Sequence, residues 1–281
     1  MARFSEARRR SARVALAPVI AGVLAWVGLA APARAEMSLR ELIKESQNPL
    51  PALVAVPVQN NFNIGYGPEK GLQDGLNIQP VIPVAVTPGL NIITRTVVPL
   101  IFDPPLTRRL GAVGGLGDIQ VTPFFSPSQP SPWVWGIGPI VQLPTHSDRT
   151  LGNNNLGLGP SVAALRWTKD DPFLFGALAY TAWSLGTDPH APRYTIGSLQ
   201  PLATYIFKDG LYVTTSPIIK MDWLAAPDRQ LLLPLGGGVG KIFHLGKLPL
   251  SVEAHAYYNV MKQDLDADWQ VRLQVQVMFP R

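Results

Sequence analysis

The last residues of the chain alternate strictly between apolar and polar side chains. Val271 and Val275 are apolar, whereas Arg272 and Gln274 are charged or polar. Because successive side chains of a β-strand point to opposite faces, segment 269–279 has one apolar face and one polar face. A strand of a soluble sandwich and a strand of a membrane barrel both fit this pattern, so the segment alone does not distinguish them.

Similar apolar runs and alternations recur from Leu53 onward, separated by turn-forming residues. They predict twelve strands of about ten to fourteen residues each. The predicted strands are 53–66, 76–87, 91–102, 116–126, 133–144, 156–167, 173–185, 193–207, 211–223, 230–243, 249–261 and 267–279.

The connections between these strands alternate in length. Every second connection is mostly tight, as at 87–90 and 208–210, whereas most of the others are longer and polar, notably 103–115, 145–155 and 186–192. Outer-membrane barrels have short periplasmic turns, longer outer loops and an even number of strands. The alternation therefore favours an all-β fold, a transmembrane antiparallel β-barrel of about 12 strands.

Aromatic residues lie at the ends of the predicted strands, where barrels carry two aromatic girdles. The predicted periplasmic girdle contains Trp133, Trp135, Trp167, Phe125, Tyr205, Phe207, Phe243 and Phe279. The predicted outer girdle contains Trp183, Trp223, Trp269, Tyr66 and Phe102. Aromatic packing near the edges of a soluble sheet is the alternative interpretation.

Prolines inside predicted strands argue against an ideal barrel, because proline has no N–H for the ladder. The prolines concerned are Pro80, Pro83, Pro123, Pro139, Pro201, Pro217 and Pro234. We expect bulges at these points and a distorted barrel.

The first 35 residues have the pattern of a secretory signal peptide. A positive region that includes Arg8-Arg9-Arg10 precedes an apolar run at 14–31, and Ala33-Arg34-Ala35 fits a cleavage site. An uncleaved anchor helix is the alternative, and the weak flanks of Arg8-Arg9 favour Sec export. Six of the 24 basic residues and one of the 19 acidic residues lie in this leader, so the rest of the chain carries 18 of each. This balance gives no support for a nucleic-acid partner.

Residues 38–47 form the best helix candidate after the leader. Ser38 and Glu41 are spaced as a capping box, and Asn48-Pro49 ends the pattern. We assign residues 1–35 to the signal peptide, 36–52 to an N-terminal helix and 53–281 to the barrel. The helix is either a periplasmic tail or a plug inside the barrel.

The polar face of each strand supplies the candidate lumen-lining residues. They are Arg95, Asp118, Gln120, Arg166, Lys220, Asp222, Glu253, His255, Tyr257, Arg272 and Gln274. Ionisable side chains at membrane depth are costly unless they pair or face water. These residues therefore form either a salt-bridged network that fills a narrow barrel or a path for solutes, with catalysis as a weaker alternative.

The sequence offers little support for catalysis. Of the four histidines, His255 lies on a predicted strand but is not followed by a serine two residues later, and His146-Ser147 lies on a predicted loop. The run Gly236–Lys241 lacks the spacing of a phosphate-binding loop, so its glycines are better explained by close backbone approach. There is no cysteine and no metal-binding motif, and we predict no catalytic residue, metal or cofactor.

Several blocks resemble a family of Gram-negative outer-membrane proteins that is labelled "meta-pathway of phenol degradation" and often mis-tagged "neuromedin U". The blocks are 59–63, 76–83, 91–96, 115–119, 234–243, 256–260 and 268–272. The resemblance covers nearly the whole chain after the leader and implies an outer-membrane β-barrel with a role in the transport of hydrophobic or aromatic compounds. It implies no catalytic residue. The end of the chain departs from many barrels, because Pro280 and Arg281 follow the last aromatic residue.

The sequence therefore predicts a non-enzymatic, outer-membrane barrel that passes small solutes passively. Its expected partners are outer-membrane lipid, a small-molecule solute and the barrel-assembly machinery. A closed structural barrel with a salt-bridged lumen is the alternative, and a membrane-embedded lipid hydrolase is a third interpretation.

Overall fold

The computed structural model describes residues 37–105, 111–129, 131–166, 168, 171–246 and 248–279. The predicted leader at 1–35, Trp167, and Pro280 and Arg281 lie outside these described residues. Within the described ranges, no helix is both long and apolar enough to cross a bilayer.

A short helix, α1 (Leu39–Gln47), precedes the sheet, as predicted. Its capping box is present. The Ser38 backbone N–H donates to the Glu41 carboxylate at 2.9 Å, and the Glu41 N–H donates to the Ser38 hydroxyl at 3.3 Å. The helix ends at Asn48, whose backbone is extended because the next residue is proline.

Fifteen strand segments follow α1 and belong to one sheet. They are β1 (Val54–Tyr66), β2 (Gly71–Ile78), β3 (Val81–Thr87), β4 (Leu90–Asp103), β5 (Val113–Leu116), β6 (Ile119–Pro127), β7 (Trp133–Leu143), β8 (Gly157–Arg166), β9 (Phe173–Ser184), β10 (Thr195–Ile206), β11 (Leu211–Thr215), β12 (Ile219–Asp222), β13 (Leu231–Leu245), β14 (Leu248–Met261) and β15 (Trp269–Phe279). A single turn of 3₁₀-helix, Pro227–Arg229, lies between β12 and β13.

The sheet closes on itself. All its pairings are antiparallel, and β15 pairs with β1 from Val54–Phe279 to Ile64–Trp269. Three pairs of segments, β2/β3, β5/β6 and β11/β12, are each one strand with a short break, so the barrel has 12 strands. Closure leaves no unpaired edge, which is the condition for a sheet in lipid. The predicted antiparallel barrel of about 12 strands is confirmed.

Irregularities in the ladder coincide with most of the prolines that the sequence singled out. They are strand breaks at Pro80 and Pro217, a register shift at Pro234, and a gap in the β6–β7 pairing opposite Pro123 and Pro139. Pro201 keeps its register with β9 but lies opposite the break at Pro217, and Pro83 remains in register with β4. The ladder is therefore irregular at six of the seven positions and regular at Pro83.

The two faces of each strand differ in polarity. On β14, Glu253, His255 and Tyr257 are buried inside the barrel, whereas Val252 before them and Tyr258 after them are exposed on the outside. An apolar outer face and a polar interior are typical of barrels that lie in lipid.

Short turns gather at one end of the barrel, which we call the turn end, and longer connections at the other, the loop end. The described tryptophans are near these ends and are between 45% and 48% exposed. At the turn end, Trp133 packs edge-to-face on Phe175 at 5.9 Å between centroids, and at the loop end Trp269 contacts Tyr258 at 5.0 Å. Tyr66 departs from the predicted outer girdle, because its side chain borders an interior cavity.

A valine at Gly138 should destabilise the barrel. A Cβ at this position would overlap the Pro123 carbonyl oxygen, so β6 and β7 would have to separate. We expect Gly138→Val to lower the free energy of unfolding by about 3 kcal/mol, measured by urea titration of the heat-modifiable band on a gel. Gly89→Ala is the control, because nothing lies within 4 Å of its added Cβ. Equal stability of the two variants would contradict the strand packing described above.

Candidate functional site in the barrel lumen

Two cavities lie in series inside the barrel. The inner cavity, of about 110 Å³, is bordered by Gln47 and Pro49 of the N-terminal segment (residues 37–53). The loop-side cavity, of about 350 Å³, is bordered by Tyr66 and Asp266 near the loop end. A solute that entered from the loops would reach the loop-side cavity first.

The same side chains border both cavities where they meet, and we call this group the waist. The waist consists of Gln59, Gln79, Arg95, Leu178 and Gln200. Three of these side chains are primary amides, which donate and accept hydrogen bonds, and one carries a permanent positive charge.

Most of the predicted lumen-lining residues border a cavity. Arg95, Glu253, His255, Arg272 and Gln274 border the inner cavity, and Arg95, Asp118, Gln120 and Lys220 border the loop-side cavity. Tyr257 is fully buried beneath them. Asp222 lies at the end of β12 and accepts the Leu224 N–H at 3.1 Å, without bordering either cavity.

Arg166 does not join this group. Along β8, Ser161, Ala163 and Leu165 are buried inside the barrel, so Arg166 faces outward by alternation. Its guanidinium lies 5.5 Å from the ring centroid of the exposed Phe175 and donates to Asp171 at 2.8 Å. The prediction treated the end of β8 as inward-facing, whereas Arg166 belongs to the surface at the turn end.

Arg272 is held by neutral acceptors. It is 1% exposed, and its Nε donates to Asn61 Oδ1 at 3.1 Å. Its Nη1 donates to the Ser216 carbonyl oxygen at 2.9 Å and its Nη2 donates to Gln270 Oε1 at 3.2 Å. The guanidinium also lies over the Tyr257 ring at 5.1 Å. These contacts join β1, β15 and the break between β11 and β12, so Arg272 ties the wall together.

Glu253 is the acceptor at the centre of a second network. The Ser216 N–H donates to the Tyr257 hydroxyl at 3.2 Å, and that hydroxyl lies 2.9 Å from His255 Nδ1. His255 Nε2 lies 2.9 Å from Glu253 Oε2. A Cβ at Gly238 would overlap both the Ala254 carbonyl oxygen and the His255 ring. Close approach of the neighbouring backbone, as predicted, together with a lumen side chain explains this glycine of the Gly236–Lys241 run.

The N-terminal segment occupies the turn end of the lumen. Leu42 and Ile43 pack with inward-facing residues of the wall such as Ile206, and Leu50 packs in a second apolar cluster with Phe124. Polar contacts join the same surfaces: Gln47 Nε2 donates to Glu253 Oε1 at 2.7 Å, and Lys44 donates to the Thr168 carbonyl oxygen. The segment therefore closes the inner cavity towards the turn end.

Glu45 is a buried acid within this segment. Its side chain is 6% exposed and accepts the Ala52 N–H at 2.8 Å. Burial disfavours the carboxylate and raises the pKa of Glu45 from 4.5 to about 7, and the Ala52 hydrogen bond offsets only part of that rise.

The longest described connection, 144–156, is ordered by Asp118. His146 Nδ1 lies 2.6 Å from Asp118 Oδ1, and the Asn153 N–H donates to Asp118 Oδ2 at 2.7 Å. His146 Nε2 lies 2.9 Å from Asn154 Oδ1, and Asn154 Nδ2 donates to Asp188 in the next loop at 3.2 Å. Asp118, a predicted lumen residue, therefore anchors the long connection that the sequence predicted at 145–155.

The described residues hold no arrangement typical of hydrolysis. The ring of His255 contacts Glu253 and Tyr257, and no serine or threonine hydroxyl is bonded to it within the described part of the chain. No group of three or more metal-ligating side chains is found among the described residues. Many of the polar groups of this lumen are hydrogen-bonded to one another.

Two residues of the site were not predicted from the sequence. Gln79 is a member of the waist and Gln47 binds Glu253, yet neither was predicted to line the lumen. For Gln79 the signal was available, because Asn77 and Gln79 alternate with apolar neighbours just before Pro80. For Gln47 there was none, because the docking of a helix cannot be inferred from strand alternation.

Comparison with known proteins identifies structures of similar fold but no relative in sequence. No family model matches the chain, and no curated protein matches it. An outer membrane channel from Pseudomonas putida F1 is similar in structure, with a TM-score of 0.58 and 13% identity over 83% of this chain and 98% of that chain. The NanC porin is similar with a TM-score of 0.51 and 11% identity over 80% of this chain and 100% of that chain. The chain thus has the fold of outer-membrane channel barrels.

Docking of the N-terminal segment should weaken as pH rises. Because the pKa of Glu45 is about 7 when docked and 4.5 in water, the free segment ionises first, and docking loses up to ~3 kcal/mol between these pH values. We expect α1 amides, corrected for intrinsic rate, to exchange hydrogen faster at pH 8 than at pH 5.

Glu45→Gln should remove this pH dependence, since the amide does not titrate. Glu41→Gln is the matched control on the same helix, because glutamine also serves in a capping box and Glu45 remains in place. An unchanged pH dependence in Glu45→Gln would exclude Glu45 as its cause.

Proposed function

We propose that this chain is an outer-membrane channel for small solutes, closed at its periplasmic end by the N-terminal segment acting as a plug. The leader at 1–35 would direct it through the Sec route, and the barrel-assembly machinery would insert it. In this orientation the turn end faces the periplasm and the loop end faces outward, as in other outer-membrane barrels.

The observation that carries the proposal is the pair of polar cavities in series. They run from the loop end to the plug through the waist, inside a wall whose outer face is apolar. A barrel that served only as a scaffold has no need of a polar cavity of about 350 Å³ at its loop end, because interior side chains could fill it.

The plug is attached by contacts that can be exchanged for water. Its apolar residues are few, chiefly Leu42, Ile43, Leu50 and Leu53, and its longest-range polar bonds come from Lys44 and Gln47. Fully burying one such apolar side chain contributes about 1.5–3 kcal/mol. The plug therefore binds the lumen strongly enough to close the channel. Its binding is weak enough that a single charge buried in the interface would release it.

A closed structural barrel is the second candidate. The observation in its favour is the fixed network around Arg272 and Glu253, which joins β1, β14, β15, the break between β11 and β12, and the plug. The polar lining of the waist also indicates which class of solute the channel would pass. Amides and a guanidinium suit a hydrophilic solute better than the hydrophobic compounds implied by the family resemblance.

A charge placed on the buried face of α1 should open the channel. Ile43 is 0% exposed, so Ile43→Asp would bury a carboxylate in an apolar cluster and release the plug. In planar bilayers we expect conductance steps several-fold larger than those of the unaltered protein.

Leu39→Asp is the matched control, because Leu39 lies on the same helix but is 40% exposed. It should retain the small conductance of the unaltered protein. If Ile43→Asp folds, as judged by heat-modifiable mobility, and remains silent, the closed structural barrel is the correct interpretation.

A further inference from the structure

The guanidinium of Arg95 has no acidic partner. It donates to Gln79 Oε1 at 2.5 Å, and no aspartate or glutamate forms an ion pair with it within the described part of the chain. Its side chain is only partly buried, and the surface it exposes is shared by the two cavities. A guanidinium has five N–H donors, so Arg95 keeps donors available for a group that enters the waist.

Arg272, the other arginine that borders the inner cavity, does not have donors available in this way. All three of its nitrogens are bonded to oxygen atoms of the wall, and it is 1% exposed. Both arginines lie inside the same barrel, yet one is used by the fold and the other is presented to the cavities. The difference assigns a structural role to Arg272 and leaves Arg95 for recognition.

The acidic side chains that border the two cavities lie outside the waist and accept hydrogen bonds from other groups. In the inner cavity, Glu253 already accepts hydrogen bonds from Gln47, Tyr212 and His255. In the loop-side cavity, Asp118 is occupied by His146 and the Asn153 N–H, while Lys220 adds a second positive charge and Asp266 lies near the loop end. Among the five waist residues, Arg95 is the one charged side chain, and a guanidinium in a narrow polar space attracts anions.

The amides beside Arg95 favour a particular kind of anion. Gln59, Gln79 and Gln200 border both cavities, and primary amides both donate to and accept from hydroxyl groups. An inorganic anion would use the guanidinium alone, whereas a polyhydroxylated acid would use its carboxylate on Arg95 and its hydroxyls on the amides. A planar guanidinium also matches the two oxygens of a carboxylate.

We propose that the waist is a binding site for small hydroxylated carboxylates, with Arg95 as the residue that binds the carboxylate group. This inference rests on the proposed function only in requiring that solutes reach the waist from the loop end. It names the solute class as hydrophilic organic acids and gives the glutamines the role of recognising their hydroxyl groups.

Binding is tested without any measurement of transport. Gluconate and glucose, which are similar in size and differ in charge, are titrated calorimetrically into the detergent-solubilised protein. We expect gluconate to bind the unaltered protein at least about tenfold more tightly than it binds Arg95→Gln. Glucose should bind neither protein measurably. Arg166→Gln is the matched control, because it removes an equal charge from the outer surface, and it should bind gluconate like the unaltered protein.

Arg95→Lys provides a second variant in case Arg95→Gln fails to fold. This variant keeps the positive charge but loses the planar guanidinium. Gluconate affinity should therefore fall, while any preference for chloride over potassium is retained. The proposal is overturned if gluconate binds the unaltered protein, Arg95→Lys and Arg166→Gln equally, or if glucose binds as tightly as gluconate.

A separate measurement distinguishes failure of this site from failure of the channel. In the Ile43→Asp background under a potassium chloride gradient, Arg95→Gln should shift the reversal potential towards cation selectivity, and Arg166→Gln should not. Gluconate binding in a protein that conducts no ions would support the site and contradict the channel. Conductance without a difference in gluconate binding would contradict the site alone.

Discussion

The structure depends on closure of the sheet by pairing of β15 with β1. A strand in lipid has no water to satisfy its backbone groups, so the last strand must find the first in one register. That register places Arg272 opposite Asn61 on β1 and His255 on β14. Closure and the lumen network therefore depend on the same strand register. If β15 paired with β1 one residue out of register, the Arg272 side chain would face lipid and lose its hydrogen-bond acceptors.

Much of the fold could be predicted because strand alternation is a local property of the sequence. The twelve predicted strands correspond to the observed ones, including 76–87, which is one strand broken at Pro80. Prediction was weaker where packing decides the outcome. Arg166 faces outward, Tyr66 faces inward, and Pro83 leaves its pairing with β4 regular. Side-chain alternation near a strand end and tolerance of proline both depend on neighbouring residues, which local sequence does not reveal.

The candidate site could be predicted only as a set of residues with polar character. Alternation placed both Arg95 and Arg272 on the polar face that lines the lumen. It could not show that Arg272 is fully hydrogen-bonded whereas Arg95 is not. That distinction depends on Asn61, Ser216 and Gln270, which come from distant parts of the chain. The plug could also be predicted only in part. The capping box predicted a helix, but no local pattern revealed that Ile43 packs inside the barrel.

The central claim is that polar cavities lead to a plug formed by the N-terminal segment. The most direct test compares single-channel conductance of the unaltered protein with that of a chain lacking residues 38–47, both inserted from the same detergent. The account predicts a several-fold larger conductance for the shortened chain, because the floor of the inner cavity, including Gln47, is altered or removed. Equal conductance, with both barrels folded, would contradict it.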